Sequence, residues 1–253
     1  MNPDLPERTD LHDPREDKVA QFTYEGKELR LLGSAVNGKS YYSGMIKPYL
    51  GNCVLEVGAG LGMTTPHLCD GRVDRWVCLE PDPVQAKHIE ERIRHRRLTG
   101  CCEVKTGTVD DLPDDNSFDS IVYINVLEHI YDDVTQLVRA TDHLSSGGHL
   151  IVLAPAHLFL FSGFDIAVGH HRRYTKQSLS AAVPDGLGRV LLRYLDTLGL
   201  ILSLGHRFRK KSLPEKWQVD FWDRFLVPIS VRLDRSLNYR IGKSVLGVWQ
   251  KPY

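Results

Sequence analysis

Short, nearly continuous apolar runs alternate with longer mixed segments over the first two-thirds of the chain. Cys53–Val57, Trp76–Glu80, Glu103–Thr106, Phe118–Asn125 and His149–Ala154 read as strands, because runs of this length rich in β-branched residues suit a buried pleated surface. Thr64–Cys69, Pro83–Leu98 and Ile130–Leu144 read as the intervening helices. Pro83 stands early in its helix and Gly100 just past its end, and Ser145–Gly148 is the expected stop of the third. Before the first strand, Leu29–Leu50 reads as helical, broken near Asn37-Gly38 and closing at Pro48-Tyr49. Strands alternating with helices predict a parallel, doubly wound α/β sheet, and their unbroken apolar character predicts burial on both faces.

The rhythm changes after Pro155. Residues 156–174 form an irregular connection rich in His and Arg. Thr175–Val183 reads as a helix capped by Thr175, and Val190–Tyr194 as a strand. Residues 196–240 read as an aromatic-rich helical insertion, and Ser244–Gln250 as a last strand returning to the sheet. Trp217, Phe221 and Phe225 recur every four residues and form one helix face, with Trp222 nearby. Packing on the domain or on a partner subunit is expected of that face, with a lid over a bound ligand or a membrane-surface contact as the alternative. The organisation expected is a flexible tail over residues 1–24 and one domain over 25–253, within which 156–183 is a connection beside the strand ends. The tail lacks the apolar stretch of a signal peptide. The longest uncharged apolar stretch, Thr197–Gly205, is far short of the roughly 20 residues that span a bilayer. A cytoplasmic protein is expected.

Composition narrows the function classes. The 253 residues carry 32 basic and 32 acidic side chains, which argues against a generic nucleic-acid binder. Neutrality conceals asymmetry: residues 205–253 hold 11 basic and 4 acidic residues, and the first 30 hold 5 and 8. The basic, aromatic end favours an anionic small ligand, or one presented at a membrane surface. Five cysteines, none in a spaced pair, read as free thiols in a reducing compartment.

Gly58-Ala59-Gly60-Leu61-Gly62 follows the first strand at its carboxyl end, where ligands of open α/β sheets bind. Glu80 ends the second strand about 20 residues on, where a carboxylate accepts hydrogen bonds from ribose hydroxyls. The loop spacing is GxGxG rather than GxGxxG, and Glu56 stands in the strand before it. A carboxylate there suits a ligand with a positive amino group better than a pyrophosphate. The rival reading for Glu56 is an acid satisfied by loop N–H groups.

From Val54 to about Pro155 the sequence resembles the class I S-adenosylmethionine-dependent methyltransferases. The motifs stand in order: VLEVGAGLG, CLEPD, GTVDDLPDDNSFD, INVLEHI and LSSGGHLIVLAPA. The resemblance implies a doubly wound, Rossmann-like α/β sheet, here with a helical insertion before the last strand. It implies S-adenosylmethionine as donor, held by Glu56, Gly58, Ala59, Gly60, Glu80, Pro81, Thr108, Val109 and Asn125. Thr108-Val109 stand where many relatives carry Asp-Ala, so the adenine-side contact falls to the Thr108 hydroxyl, Asp110 or the Val109 N–H. One Glu-His pair, Glu128-His129, is not a full ligand set, and no metal is expected.

FDIAVGHHRRYT, from Phe164 to Thr175, clusters polar groups directly after the fifth strand, beside the expected methyl position. The string resembles a narrower methyltransferase group that carries GH-x-RRYT there and occurs with glycan and lipid-linked sugar assembly. A hydroxyl acceptor needs a base as its proton leaves. His170 or His171 is the first candidate, oriented by Asp165, and His129 is the runner-up. Arg172 and Arg173 are candidates for binding an acceptor phosphate or carboxylate, with Tyr174, Tyr41 and Tyr42 as further substrate contacts. Alternatively, one of the arginines clamps Asp165, and the two earlier tyrosines pack the core. The reading is O-methylation of a small sugar-like or lipid-linked acceptor, with N-methylation of a small amine as the alternative. No nucleic-acid partner is expected, and peripheral membrane contact or a homodimer is admitted. A nicotinamide-dependent oxidoreductase and a noncatalytic binding module are the rival classes.

Overall fold

The computed structural model describes residues 27–206 and 214–253; the expected tail at 1–24 lies outside them. Two helices, α1 (Lys27–Gly33) and α2 (Val36–Ile46), lead into β1 (Cys53–Val57). Then follow α3 (Thr65–Leu68), β2 (Arg75–Glu80), α4 (Pro83–Arg94), β3 (Cys102–Thr106) and β4 (Phe118–Ile124). The chain continues through α5 (Asp133–Asp142), β5 (Leu144–Pro155), α6 (Gly163–Ala167), α7 (Lys176–Ala182) and β6 (Gly188–Leu195). The insertion is α8 (Thr197–His206), α9 (Lys216–Phe221), a π-helical turn over Trp222–Leu226, and α10 (Val227–Ser236), before β7 (Ser244–Gln250).

The seven strands run in the order β3-β2-β1-β4-β5-β7-β6. The first five are parallel, and β7 slots antiparallel between β5 and β6. The sheet is therefore mixed at one edge, where the expectation was parallel. Strand period 2 sends Leu55 and Val57 into one apolar layer and Val54 into the other, with Trp76 and Cys78 of β2. Both layers are buried, as the continuous apolar runs require. Burying each large side chain there contributes roughly 1.5–3 kcal/mol.

Several boundaries differ from expectation for local reasons. The break between α1 and α2 falls at Ser34-Ala35; Asn37 and Gly38 stand in the first turn of α2, their N–H groups accepted by the Asp223 carboxylate at 3.1 and 2.8 Å. Helix α4 stops at Arg94, before a turn in which Arg96 takes a positive φ of 54°. Helix α5 begins only at Asp133, capped by the Asp132 carboxylate, which accepts from the Thr135 N–H. Ser145–Gly148 is not a helix stop but the irregular start of β5.

The strand order reverses between β1 and β4, so a crevice opens at their carboxyl ends. The insertion roofs it. Its two ends meet at a neck: Asp196, directly after β6, holds the Lys243 ammonium at 3.2 Å directly before β7.

Candidate active site

A cavity of about 1000 Å³ lies at this reversal point, lined by α1, α2, the glycine loop, the end of β4, residues 160–173 and the insertion. Ligand pockets of drug-sized molecules run to roughly 1,000 Å³, so a donor and an acceptor both have room. No helix among the described residues is long and apolar enough to cross a membrane.

Gly58, Gly60 and Gly62 all take positive φ, of 67°, 58° and 64°. At Gly58 the requirement is also steric, since a Cβ would stand 2.7 Å from both γ-methyls of Val126. Glu56 lines the cavity but is buried, and its Oε2 accepts from Thr65 Oγ1 at 2.7 Å and Trp76 Nε1 at 2.9 Å. Burial pushes its carboxyl up to about 7 against those two hydrogen bonds. Glu56 is thus satisfied by side chains from α3 and β2, not by loop N–H groups. Glu80 is turned into the loop: its Oε2 accepts from the Gly60 N–H at 2.7 Å and its Oε1 from the Asp82 N–H at 3.0 Å. Burial pushes it, too, up to about 7.

The structure gathers only part of the expected donor set. Glu56, Gly58, Ala59, Gly60 and Asn125 border the cavity, whereas Glu80, Pro81, Thr108 and Val109 do not. Val109 is fully buried in the apolar layer, and the Thr108 hydroxyl donates to Asp111 at 2.8 Å. Asp110 pairs with Arg139 at the surface.

On the facing wall, Asp165 is wholly buried at the start of α6. Its Oδ1 meets His170 Nδ1 at 2.8 Å and accepts from Arg173 Nε at 2.8 Å; its Oδ2 accepts from Arg173 Nη2 at 3.0 Å. Burial raises the carboxyl, but His170 and the Arg173 fork outweigh it and hold it down at about 2. His170 borders the cavity, and its Nε2 stands 3.8 Å from Glu128 Oε1. Glu128 is buried, neither of its carboxylate oxygens has a hydrogen-bond partner, and burial pushes it up to about 8. The His129 ring stands edge-on to His170, centroids 4.7 Å apart, and burial lowers it to about 4.

Three expected residues point elsewhere, and a fourth is already engaged. His171 is exposed, its ring against Tyr131, and does not border the cavity. Arg172 is drawn to Asp133 at 2.5 Å and to the Tyr131 carbonyl. The buried Tyr174 hydroxyl donates to the same Asp133 at 2.7 Å. Arg173 borders the cavity, but its guanidinium is committed to Asp165 and to the Ala156 carbonyl. Arg172, Arg173 and Tyr174 are thus committed to Asp133 and Asp165. Tyr41 and Tyr42 do line the cavity, with their hydroxyls on Asp234 at 2.7 Å and Thr64 at 3.4 Å. The aromatic face of the insertion is not packed away: Trp217, Phe221 and Phe225 are 62%, 48% and 52% exposed. Trp222 turns inward instead, its Nε1 donating to Asp196 at 2.8 Å and its ring 3.7 Å under Lys243.

Sequence reasoning missed Lys39, Asp196, Trp222 and Lys243 as lining residues and set Glu128 apart from the acceptor side. The signal for Glu128 was present in LEHI. For Asp196 it was an acid at a strand end, the same signal that marked Glu80.

Residues 55–150 match a family model described as a methyltransferase domain. No curated protein matches the sequence. Among solved structures, the complex of the Haloferax volcanii Trm112 methyltransferase activator with a methyltransferase matches with a TM-score of 0.61 and 18% identity, over 96% of this chain and 100% of that one. A geranyl diphosphate methyltransferase in complex with S-adenosylmethionine matches with a TM-score of 0.61 and 13% identity, over 93% and 94%. Coclaurine N-methyltransferase bound to N-methylheliamine and S-adenosylhomocysteine matches with a TM-score of 0.57 and 16% identity, over 86% and 72%. Residues 55–150 thus carry a methyltransferase domain, and the chain as a whole shares the fold of these methyltransferase structures.

Proposed function

We propose that the cavity transfers the methyl group to a hydroxyl of a small sugar-like or lipid-linked acceptor, with His170 as general base. The observation that carries this is the Asp165–His170 hydrogen bond of 2.8 Å on a histidine that borders the cavity. Imidazole is a base suited to neutral pH, and a buried carboxylate behind it fixes its orientation and tautomer. The donor supplies an electrophilic methyl. The protein's work is then to align the acceptor oxygen, exclude water and take one proton at His170 Nε2.

On the donor side, Glu56, Gly58, Ala59, Gly60 and Asn125 would hold the amino acid end. Glu80, Pro81, Thr108 and Val109, at the carboxyl ends of β2 and β3, would hold the adenosine end. Each Glu80 oxygen accepts one backbone N–H and keeps a second lone pair for a ribose hydroxyl. Residues 156–183 and 196–240 would supply the acceptor half, with Tyr41 and Tyr42 beside it. The half-exposed Trp217, Phe221 and Phe225 suit an acceptor with an apolar tail at a membrane surface.

Methyl transfer to an amine is the second reading, and Glu128 favours it. Three lining cations are engaged, Lys39 by the Leu32 and Gly33 carbonyls, Arg173 by Asp165 and Lys243 by Asp196. The buried group with no partner on that wall is a carboxyl, which could take the proton from an ammonium and free its lone pair.

Labelled methyl transfer into fractionated host extract tests the reading by separating lipids, soluble metabolites, protein and nucleic acid. His170→Ala is expected to abolish transfer while S-adenosylhomocysteine still binds. Full turnover in that variant would remove His170 as the base.

A further inference from the structure

Glu128, His129 and His170 bring a carboxylate oxygen and two imidazole nitrogens within 4.8 Å of one another on the cavity wall. They come from the turn after β4 and from the end of the connection after α6. Both Glu128 oxygens are buried without a hydrogen-bond partner. Buried polar atoms are almost always satisfied, so this side chain is built for something besides packing. Behind the cluster, Asp165 stands 2.8 Å from His170 Nδ1. The proton assigned to that nitrogen leaves the Nε2 lone pair directed toward Glu128, 3.8 Å away. A carboxylate behind an imidazole is the arrangement that orients metal-ligating histidines. The His129 ring is steadied in the same way, by a hydrogen bond to the Gly169 backbone.

We infer that Glu128, His129 and His170 form a binding site for a zinc-like divalent ion, and that this ion blocks the base of the proposed methyl transfer. Two imidazoles and one carboxylate, with a fourth position open to the cavity, is a ligand set zinc accepts. Magnesium and calcium prefer all-oxygen sites, so the nitrogen donors select against them. Zinc–nitrogen bonds of ~2.0–2.1 Å around a tetrahedral ion set donors roughly 3.3 Å apart. The His170–Glu128 separation of 3.8 Å therefore needs only a small rotation of either side chain. Once bound, the ion occupies the nitrogen assigned to proton acceptance, so metal binding and catalysis exclude each other. The blocking role rests on the reading of His170 as base; the ion site itself does not.

Calorimetric titration of chelator-stripped, full-length protein with Zn²⁺, without donor, tests the site. One ion per chain is expected, with Glu128→Gln and His129→Ala each weakening binding at least tenfold. Co²⁺ should show the visible absorption of a low-symmetry, four-coordinate site, lost in the same variants. Cys69, Cys101 and Cys102 form a second cluster, with Sγ of Cys69 3.3 and 3.7 Å from the other two, and it provides the discriminating control. Zn²⁺ binding that is unaffected by Glu128→Gln but lost in Cys69→Ser would overturn the inference. So would the absence of binding at millimolar Zn²⁺. S-adenosylhomocysteine titrated in parallel separates the two readings: a protein that binds zinc but no donor product keeps the ion site and loses the methyl-transfer assignment. With the labelled acceptor fraction, saturating Zn²⁺ should stop transfer and a chelator restore it; transfer indifferent to bound zinc would refute the blocking role.

Discussion

Replacing Asp165 by Asn probes the most heavily bonded group on the cavity wall that faces the glycine loop. The substitution keeps the shape and removes the charge. The wild-type carboxylate accepts two bonds from Arg173, at 2.8 and 3.0 Å, one from the Ser162 N–H at 2.9 Å, and meets His170 at 2.8 Å. It is wholly buried, and the Arg173 side chain is only 10% exposed. Breaking a buried pair from one side leaves the other charge uncompensated, which costs about 3–5 kcal/mol. For a chain of this length each kcal/mol moves the melting temperature by roughly 2–4 °C, so a fall of about 6–20 °C is expected by differential scanning calorimetry. The double variant Asp165→Asn/Arg173→Met should recover part of the loss, giving a coupling energy of about 1–3 kcal/mol in a double-mutant cycle. The pH dependence has a definite sign. The folded carboxyl is held at about 2, below its ordinary 3.8, so its stabilisation is present above the ordinary value and is lost as pH falls through that interval. The gap between wild type and Asn variant should therefore narrow below pH 4. A destabilisation under 1 kcal/mol with no coupling to Arg173 would refute the clamp.

Gly58→Ala should weaken S-adenosylhomocysteine binding at least tenfold by calorimetry, because its φ of 67° and the Val126 methyls at 2.7 Å force the loop to move; unchanged affinity would show the loop is not the donor cradle. Asp223→Ala removes the carboxylate that caps α2 and should cost about 0.5–2 kcal/mol in urea unfolding. Hydrogen exchange should quicken in both residues 216–226 and the first turn of α2, and a change in only one would deny that they are latched together. Glu128 is raised to about 8 in the fold, above its ordinary 4.5, so its stabilising share is complete below the ordinary value and is lost as pH rises through the folded one. Wild type should thus lose stability relative to Glu128→Gln between about pH 4.5 and 8, and a flat difference would contradict the burial argument.

The strands, the glycine loop and the α/β class were legible because each is written in consecutive residues. Gly58, Gly60 and Gly62 announce their backbone needs locally, and so does Thr175, which caps α7 as expected. Contacts between distant segments were not legible. Glu56 is satisfied by Trp76, which stands one strand away, and no local pattern names that partner. Arg172 and Arg173 are neighbours in sequence, yet one turns to Asp133 and the other to Asp165, because the acids that claim them lie 39 and 8 residues off. A basic pair looked like an anion site only while its partners were unknown. The aromatic period of the insertion was read as a face, and Trp217, Phe221 and Phe225 are exposed, whereas Trp222, one residue after Phe221, turns inward to Asp196.

The neck between Asp196 and Lys243 separates two kinds of inheritance. The roof leaves the sheet at the end of one strand and re-enters it at the start of the adjacent one, so its attachment points are side by side and already tied together. Such a segment can be lengthened, shortened or exchanged without disturbing the register of any strand that carries the glycine loop. On the proposed function, whatever the roof contributes to acceptor choice is therefore separable from the strands that carry the glycine loop. Relatives that keep the loop of β1 and differ between these two residues would be one reaction offered to many substrates, and a chimera cut at this neck is the natural way to trade one substrate range for another.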